Sequence, residues 1–126
     1  LLQVIDQTRT PMGARMLRQW LVSPLRDATK MSQRHDAVAA LLEADQKRAS
    51  LREVLAGIGD LERLVARICC LRANARDLVA LNVSLQKLDA SRTQLRESGS
   101  TLLESLSSTG LPNVTPLEKF HILFPN

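Results

Sequence analysis

The spacing of leucines between residues 78 and 95 most constrains what this chain can fold into. Leu78, Leu81, Leu85, Leu88 and Leu95 follow one another at steps of three, four, three and seven residues. Steps of three and four keep side chains on one face of an α-helix, whereas the period of two in a strand would scatter them over both faces. This leucine seam therefore predicts one long helix that packs against other helices.

Helix boundaries are also marked in the sequence. Thr10 can accept a hydrogen bond from the first turn of a helix, and Pro11 suits the first helical position. Pro24 disfavours helical geometry at the residue before it, so it predicts where that helix stops. Residues of the capping type open the later helices: Asp27, Asp60, and Asn74 with Asp77 in a capping-box arrangement.

Apolar residues at helical spacing fill the segments between these signals. In the first helix the stripe predicts that Trp20 and the neighbouring methionines lie in the core. Further helices are expected from the Asp27 cap to about residue 44, over residues 46–56, from residue 61 onwards, and over about residues 101–107. Gly57 and Gly59 suit a left-handed helix end and a tight turn. Residues 1–6 alone could form a strand or an extended lead-in, so the predicted class is all-α, an elongated helical bundle.

Composition agrees with one aliphatic domain. The chain has 126 residues, 44% of them hydrophobic, with one Trp, two Phe and no Tyr. The formal charge of +4 comes from interleaved basic and acidic residues, which permits contact with nucleic acid without indicating it. Cys69 and Cys70 are adjacent, so we expect reduced core residues in a cytosolic protein. No apolar run is long enough to span a membrane, and a cytoplasmic location is expected.

No motif for catalysis, cofactor binding or metal binding is found. The five glycines are scattered, and none precedes a Lys-Ser or Lys-Thr pair as in a phosphate-binding loop. His35 and His121 match no ligand spacing, and a surface or helix-packing role is expected for His35. Basic residues cluster around the first helix, and a solvated rim with carboxylate contacts is the favoured interpretation. The alternative is phosphate contact by Arg15 and Arg18.

Four ordered blocks carry a resemblance to a known family. They are "TPMGARMLRQWLVSPLRD", "RHDAVAALL", "LREVLAGIGDLERLVARI" and "ANARDLVALNVSL". In this order they resemble the core or lever domain of the DNA mismatch-repair MutS family over about residues 1–90. The family often has Pro where Ala75 stands, although Asn74 and Asp77 can still start the helix.

The resemblance implies the first half of a lever domain that is discontinuous in sequence. The lever would couple an ATPase domain to a DNA clamp, with no chemistry of its own. The parent would bind ATP and Mg, contact duplex DNA, carry connector, clamp and ATPase domains, and form a dimer. This segment holds neither the nucleotide loop nor the mismatch-reading residues of the family, so it is not expected to be an enzyme.

The expected organisation is a helical core or lever segment over residues 1–98 and a weakly specified tail over residues 99–126 that approaches the clamp. The residues expected to matter structurally are Thr10, Pro11, Trp20, Pro24, Asp60, Asn74 and Asp77. Two other functions remain open at this point. One is a freestanding basic helical module that binds duplex DNA, and the other is a helical adaptor that pairs with a partner helix through the leucine seam.

Overall fold

A computed structural model describes residues 1–96 and 98–109. These residues contain seven α-helices and no strand. The helices are α1 (Leu2–Ile5), α2 (Pro11–Val22), α3 (Ala28–Glu43), α4 (Asp45–Ala56), α5 (Leu61–Cys69), α6 (Ala75–Leu95) and α7 (Thr101–Ser108). The all-α class and the long helix predicted from the leucine seam are confirmed.

Local capping explains why the helices start where they do. Thr10 Oγ1 accepts the backbone N–H of Gly13 at 3.0 Å, and Pro11 occupies the first turn of α2. A cap of this kind stabilises a helix by about 1 kcal/mol. At α6 the capping box is complete: Asn74 Oδ1 accepts from the Asp77 N–H at 3.0 Å, and Asp77 Oδ2 accepts from the Asn74 N–H at 2.9 Å. These predicted caps are confirmed.

The predicted end of α2 before Pro24 is also confirmed, whereas the extended segment expected at the start of the chain is not. α2 ends at Val22, and the backbone of Ser23 before Pro24 leaves the helical region with ψ of 76°. Residues 2–5 form the short helix α1 instead of an extended segment. The Asp6 N–H closes that turn by donating to the Leu2 carbonyl at 2.9 Å.

The long helix α6 lies at the centre of the packing, in contact with α4, α5 and α7, while α3 packs on α4 and α7. The most buried positions of α6 are spaced seven residues apart, at Asp77, Ser84 and Ser91. The flanking leucines of the seam are half-buried. Small side chains along the contact line let neighbouring helix backbones approach, and the leucines fill the space on either side.

Trp20 was expected in the core, and that prediction is wrong. Its side chain is 43% exposed, and Met16 is 53% exposed. The reason is that α2 makes no extended contact with another helix among the described residues, so its apolar stripe has little to pack against. One face of the Trp20 ring is covered by Arg34 of α3, whose Cζ lies 3.8 Å from the ring centroid.

Two further expectations are corrected, one about the backbone at Gly57 and one about the burial of Cys69 and Cys70. Gly57 has φ of −92°, outside the left-handed region. A Cβ at Gly57 would meet the flexible end of the Lys87 side chain of α6, which would have to move aside. Cys69 and Cys70 are free thiols as expected, but they are exposed instead of lying in the core. They lie where α5 ends, before Leu71 turns the chain with φ of 54°.

The expected short helix after residue 100 is present as α7 and packs against α3 and α6. The rest of the predicted tail, residues 110–126, lies outside the described residues. Within the described part of the chain, no helix is both long enough and apolar enough to cross a membrane.

Candidate coupling joint between α2 and α6

The most developed polar contact between distant parts of the chain is made by Arg15 of α2. Its Nη1 and Nη2 donate to Asp60 Oδ2 and Oδ1, each at 2.8 Å, in the two-pronged geometry that fits a guanidinium to a carboxylate. Nη2 also donates to Glu62 Oε2 at 2.5 Å. Arg15 therefore ties α2 to the first turn of a helix 45 residues further along the chain.

Asp60 has two roles at this contact. Besides pairing with Arg15, its Oδ1 accepts the backbone N–H of Arg63 at 3.2 Å and so caps α5. The Arg15 hydrogen bonds, helped by the Arg63 N–H, lower the pKa of Asp60 to about 2. The pKa of Arg15 is raised in turn by its hydrogen bonds to Asp60 and Glu62. Both groups are therefore ionised at neutral pH.

The residues just before Asp60 attach the same point to α6. The Gly59 N–H donates to Ser84 Oγ at 3.0 Å, and the Ser84 hydroxyl donates to the Ala80 carbonyl of its own helix at 2.7 Å. Ser84 is 2% exposed and Ile58 is 4% exposed, so the linker between α4 and α5 is buried against α6. A side chain at Gly59 would bring its Cβ to 3.2 Å from Ser84 Oγ, which leaves little room for one.

Together these contacts form a continuous path from α2 to α6. We use the name joint for five residues: Arg15, Gly59, Asp60, Glu62 and Ser84. Arg15 and Glu62 are partly solvated, with side chains 49% and 68% exposed, whereas the Gly59–Ser84 contact is inside the bundle. The joint can fix the position of α2 relative to α6, and it contains no arrangement of groups suited to bond making or breaking.

The capping box at the start of α6 is reinforced from α5. Arg67 Nη2 lies 3.1 Å from Asp77 Oδ2, and the Asp77 side chain is 12% exposed. Since Asp77 also accepts the Asn74 N–H, its carboxylate holds the start of α6 and the end of α5 together. Both ends of α5 are thus attached by ion pairs, to α2 at Asp60 and to α6 at Asp77.

The structure brings together only part of the predicted set of residues. Asp60 and Arg15 meet in the joint, which places Arg15 against carboxylates and agrees with the favoured interpretation of the basic residues. Thr10, Pro11, Pro24 and the capping box act locally at their own helix ends. Two hydrogen bonds donated by Thr8 lower the pKa of Asp6, and the charge of the exposed Arg18 makes a smaller contribution in the same direction.

Sequence reasoning missed Gly59 as a hydrogen-bond donor to α6, and Ser84 and Glu62 as members of the joint. A signal for Ser84 was present, because a serine at a seven-residue interval from Asp77 and Ser91 falls inside the leucine seam. A small polar residue between leucines indicates either close helix approach or a bond to another element. The sequence contains no local signal for the pairing of Glu62 with Arg15.

Metal binding gains no support from the described residues, among which no group of three or more His, Cys, Asp or Glu side chains could hold an ion. The helix that carries the leucine seam, α6, packs against α4, α5 and α7 of its own chain, and the seam leucines are half-buried.

Comparison with known proteins identifies the family. The family model of MutS domain III matches residues 1–121. This match extends well past residue 90, where the resemblance seen in the sequence blocks ends. The family therefore covers more of the chain than those blocks predict.

Individual relatives agree with the family model. The DNA mismatch repair protein MutS of Chlorobaculum tepidum is 46% identical over 107 residues, covering 85% of this chain and 12% of that protein. MutS of Symbiobacterium thermophilum is 47% identical over 97 residues, or 77% of this chain and 11% of the relative. MutS of Methanosarcina barkeri is 41% identical over 119 residues, which cover 94% of this chain and 13% of the relative. This chain thus spans about an eighth of the curated relatives that it matches, and it belongs to the MutS family as a domain III segment.

Proposed function

We propose that this segment is a lever element of a MutS-type DNA mismatch-repair ATPase, and that it couples the ATPase to a DNA clamp without chemistry of its own. The observation that carries the proposal is the joint. Arg15 holds α2 to the first turn of α5, and the adjoining Gly59 is bonded to α6 at Ser84. A displacement of α2 would therefore be passed to the longest described helix instead of being absorbed in a flexible connection.

The other parts of the proposal follow from the family. ATP and Mg would bind in another domain of the parent, duplex DNA would be contacted through the parent, and the parent would be a cytoplasmic dimer. The connector, clamp and ATPase domains would be the partners of this segment. The relatives are DNA mismatch repair proteins, which supports mismatch repair as the process in which the parent takes part.

Two observations weigh against the other functions considered. Arg15 donates to Asp60 and Glu62, so a DNA phosphate would have to compete with two carboxylates for that guanidinium. The helix that carries the half-buried leucine seam, α6, already packs against α4, α5 and α7, so a partner helix would have to compete with helices of this chain. The lever function requires neither rearrangement.

The test uses the longer protein that contains this segment, with Arg15→Gln as the variant. Arg76→Gln is the matched control, because Arg76 is an exposed arginine in the first turn of α6. ATP hydrolysis is measured without DNA and with mismatched duplex DNA. We expect Arg15→Gln to keep DNA-free hydrolysis within about twofold of wild type and to lose most of the response to DNA, since it alters coupling and not chemistry.

The control should retain the DNA response. If Arg15→Gln keeps a full response to DNA, or if it abolishes DNA-free hydrolysis, the lever function of the joint is wrong.

A further inference from the structure

The two cysteines of this chain lie side by side in an exposed turn at the end of α5. Cys69 is the last residue of the helix and Cys70 is its C-cap, and both are free, exposed thiols. The next residue, Leu71, is 94% exposed, so its side chain does not cover them. Neither cysteine belongs to the joint, so the lever function makes no use of the two thiols.

Backbone hydrogen bonds hold this turn in one conformation. The Leu71 N–H donates to the Ile68 carbonyl at 3.0 Å, and the Arg72 N–H donates to the Arg67 carbonyl at 2.8 Å. With Leu71 at φ of 54°, these two bonds form the Schellman motif that ends many helices. Both cysteines lie inside the loop that the motif closes, so their backbones have fixed relative positions.

Adjacency disfavours a disulfide within this pair but allows a bridged complex. The Cα atoms of neighbouring residues are about 3.8 Å apart across a trans peptide, which is shorter than the roughly 4.4–6.8 Å usual for a disulfide. An atom placed between the two sulfurs lengthens the link and relieves this constraint. The pair is therefore suited to a ligand that bonds to both sulfurs at once.

We propose that Cys69 and Cys70 form a dithiol site for trivalent arsenicals that carry one organic group. Thiol sulfur is soft and polarisable, and it bonds preferentially to soft centres, of which trivalent arsenic is one. An oxide of the form R–As=O reacts with both thiols. Two As–S bonds form, the As=O bond breaks, and its oxygen leaves as water with the two thiol protons. Arsenic remains trivalent, so the reaction requires no oxidant or reductant.

The second As–S bond forms within one molecule, which makes the complex much tighter than a complex with a single thiol. Because the Schellman motif already fixes the two backbones, little conformational freedom is lost when the ring closes. The reacting groups are exposed at a helix end, so α5 keeps its helical structure in the complex.

The probe for the test is phenylarsine oxide, and mass spectrometry of the intact 126-residue chain measures the adduct. We expect one arsenic per chain, with loss of one water. The adduct is then challenged with mercaptoethanol, a monothiol, and with dimercaptopropanol, a dithiol. The wild-type adduct should survive a monothiol concentration at least about tenfold higher than the adduct of a chain with one thiol, and the dithiol should remove it.

Cys69→Ser and Cys70→Ser are the matched variants, because each removes one exposed thiol and leaves the other. Circular dichroism should show equal helix content in the wild-type chain, in both variants and in the wild-type adduct. The proposal is overturned if the wild-type chain takes up two arsenic groups or none, if either variant holds arsenic as tightly as wild type, or if adduct formation lowers helix content.

A count of reactive thiols in the folded wild-type chain provides a check that needs no variant. Both thiols should react with a chromogenic disulfide reagent in the absence of urea, and a count below two would also overturn the proposal. These readouts do not involve ATP hydrolysis or DNA. They can therefore fail while the lever function stands, and the reverse also holds.

Discussion

Replacing Ser84 with alanine should destabilise the bundle through a single lost contact between elements. The Ser84 hydroxyl accepts the Gly59 N–H at 3.0 Å, and its side chain is almost fully buried. An N–H left without a partner costs about 1–3 kcal/mol, and the better helix propensity of alanine returns roughly 0.5 kcal/mol. The expected net loss is about 0.5–2.5 kcal/mol in the free energy of unfolding, or a fall of roughly 2–10 °C in Tm.

The matched control is Ser91→Ala, one seven-residue interval further along α6. Ser91 is 3% exposed, but its hydroxyl donates to the Leu88 carbonyl of its own helix at 2.7 Å and, among the described residues, satisfies no group on another element. Urea unfolding followed by circular dichroism gives the free energy for both variants. Ser84→Ala should be less stable than Ser91→Ala by about 1 kcal/mol or more, and equal losses would refute the link between the α4–α5 linker and α6.

Three further outcomes are expected. Leu71→Gly should raise the free energy of unfolding by about 0.5–1 kcal/mol, because Leu71 has φ of 54° and a 94% exposed side chain; an unchanged or lower Tm would contradict this. Gly57→Ala should leave Tm unchanged or raise it slightly, because Gly57 has φ of −92°, which alanine adopts freely, and the added Cβ meets only the flexible end of the Lys87 side chain, which can move aside; a clear fall in Tm would contradict this. Asp60 should titrate at a pKa of about 2 in an NMR experiment, and Arg15→Gln should raise that pKa towards its ordinary value near 3.8.

The pH dependence of the free energy of unfolding follows from the same carboxylate, Asp60. The folded-state pKa of Asp60 lies below its ordinary value of 3.8, so the folded chain binds the Asp60 proton less well than the unfolded chain does. The stabilising contribution of the Arg15 pair is therefore complete above about pH 5 and is lost as the pH falls through about 2. Asp60→Asn should remove this part of the acid dependence, and high salt should weaken it because the pair is partly solvated.

The parts of the fold that could be predicted are those set by neighbouring residues. Thr10 bonds to a group three residues away, and so do Asn74 and Asp77, so their roles can be recognised in a short window of sequence. The leucine seam likewise reports a helix over its own length. These local signals were sufficient for the all-α class and for the starts of α2, α5 and α6, but not for the short helix α1 or the helix end at Gly57.

The candidate site could be predicted only in part, because it depends on contacts across the chain. Asp60 was recognised as a cap, but its pairing with Arg15 joins residues 45 apart. The exposure of Trp20 could not be predicted from its stripe, since periodicity indicates which face of a helix is apolar and not whether another element covers that face. The same argument applies to Cys69, which follows an apolar run but lies at an uncovered helix end.

The central claim, that the joint transmits a disturbance of α2 to α6, is tested most directly by hydrogen exchange of individual backbone amides in Arg15→Gln. The account predicts that amides of α6 around residues 80–88 lose protection although no residue of α6 is changed, together with amides at the start of α5. The control Arg76→Gln should leave protection around residues 80–88 unchanged. Loss of protection confined to α2 and the first turn of α5 would contradict the claim.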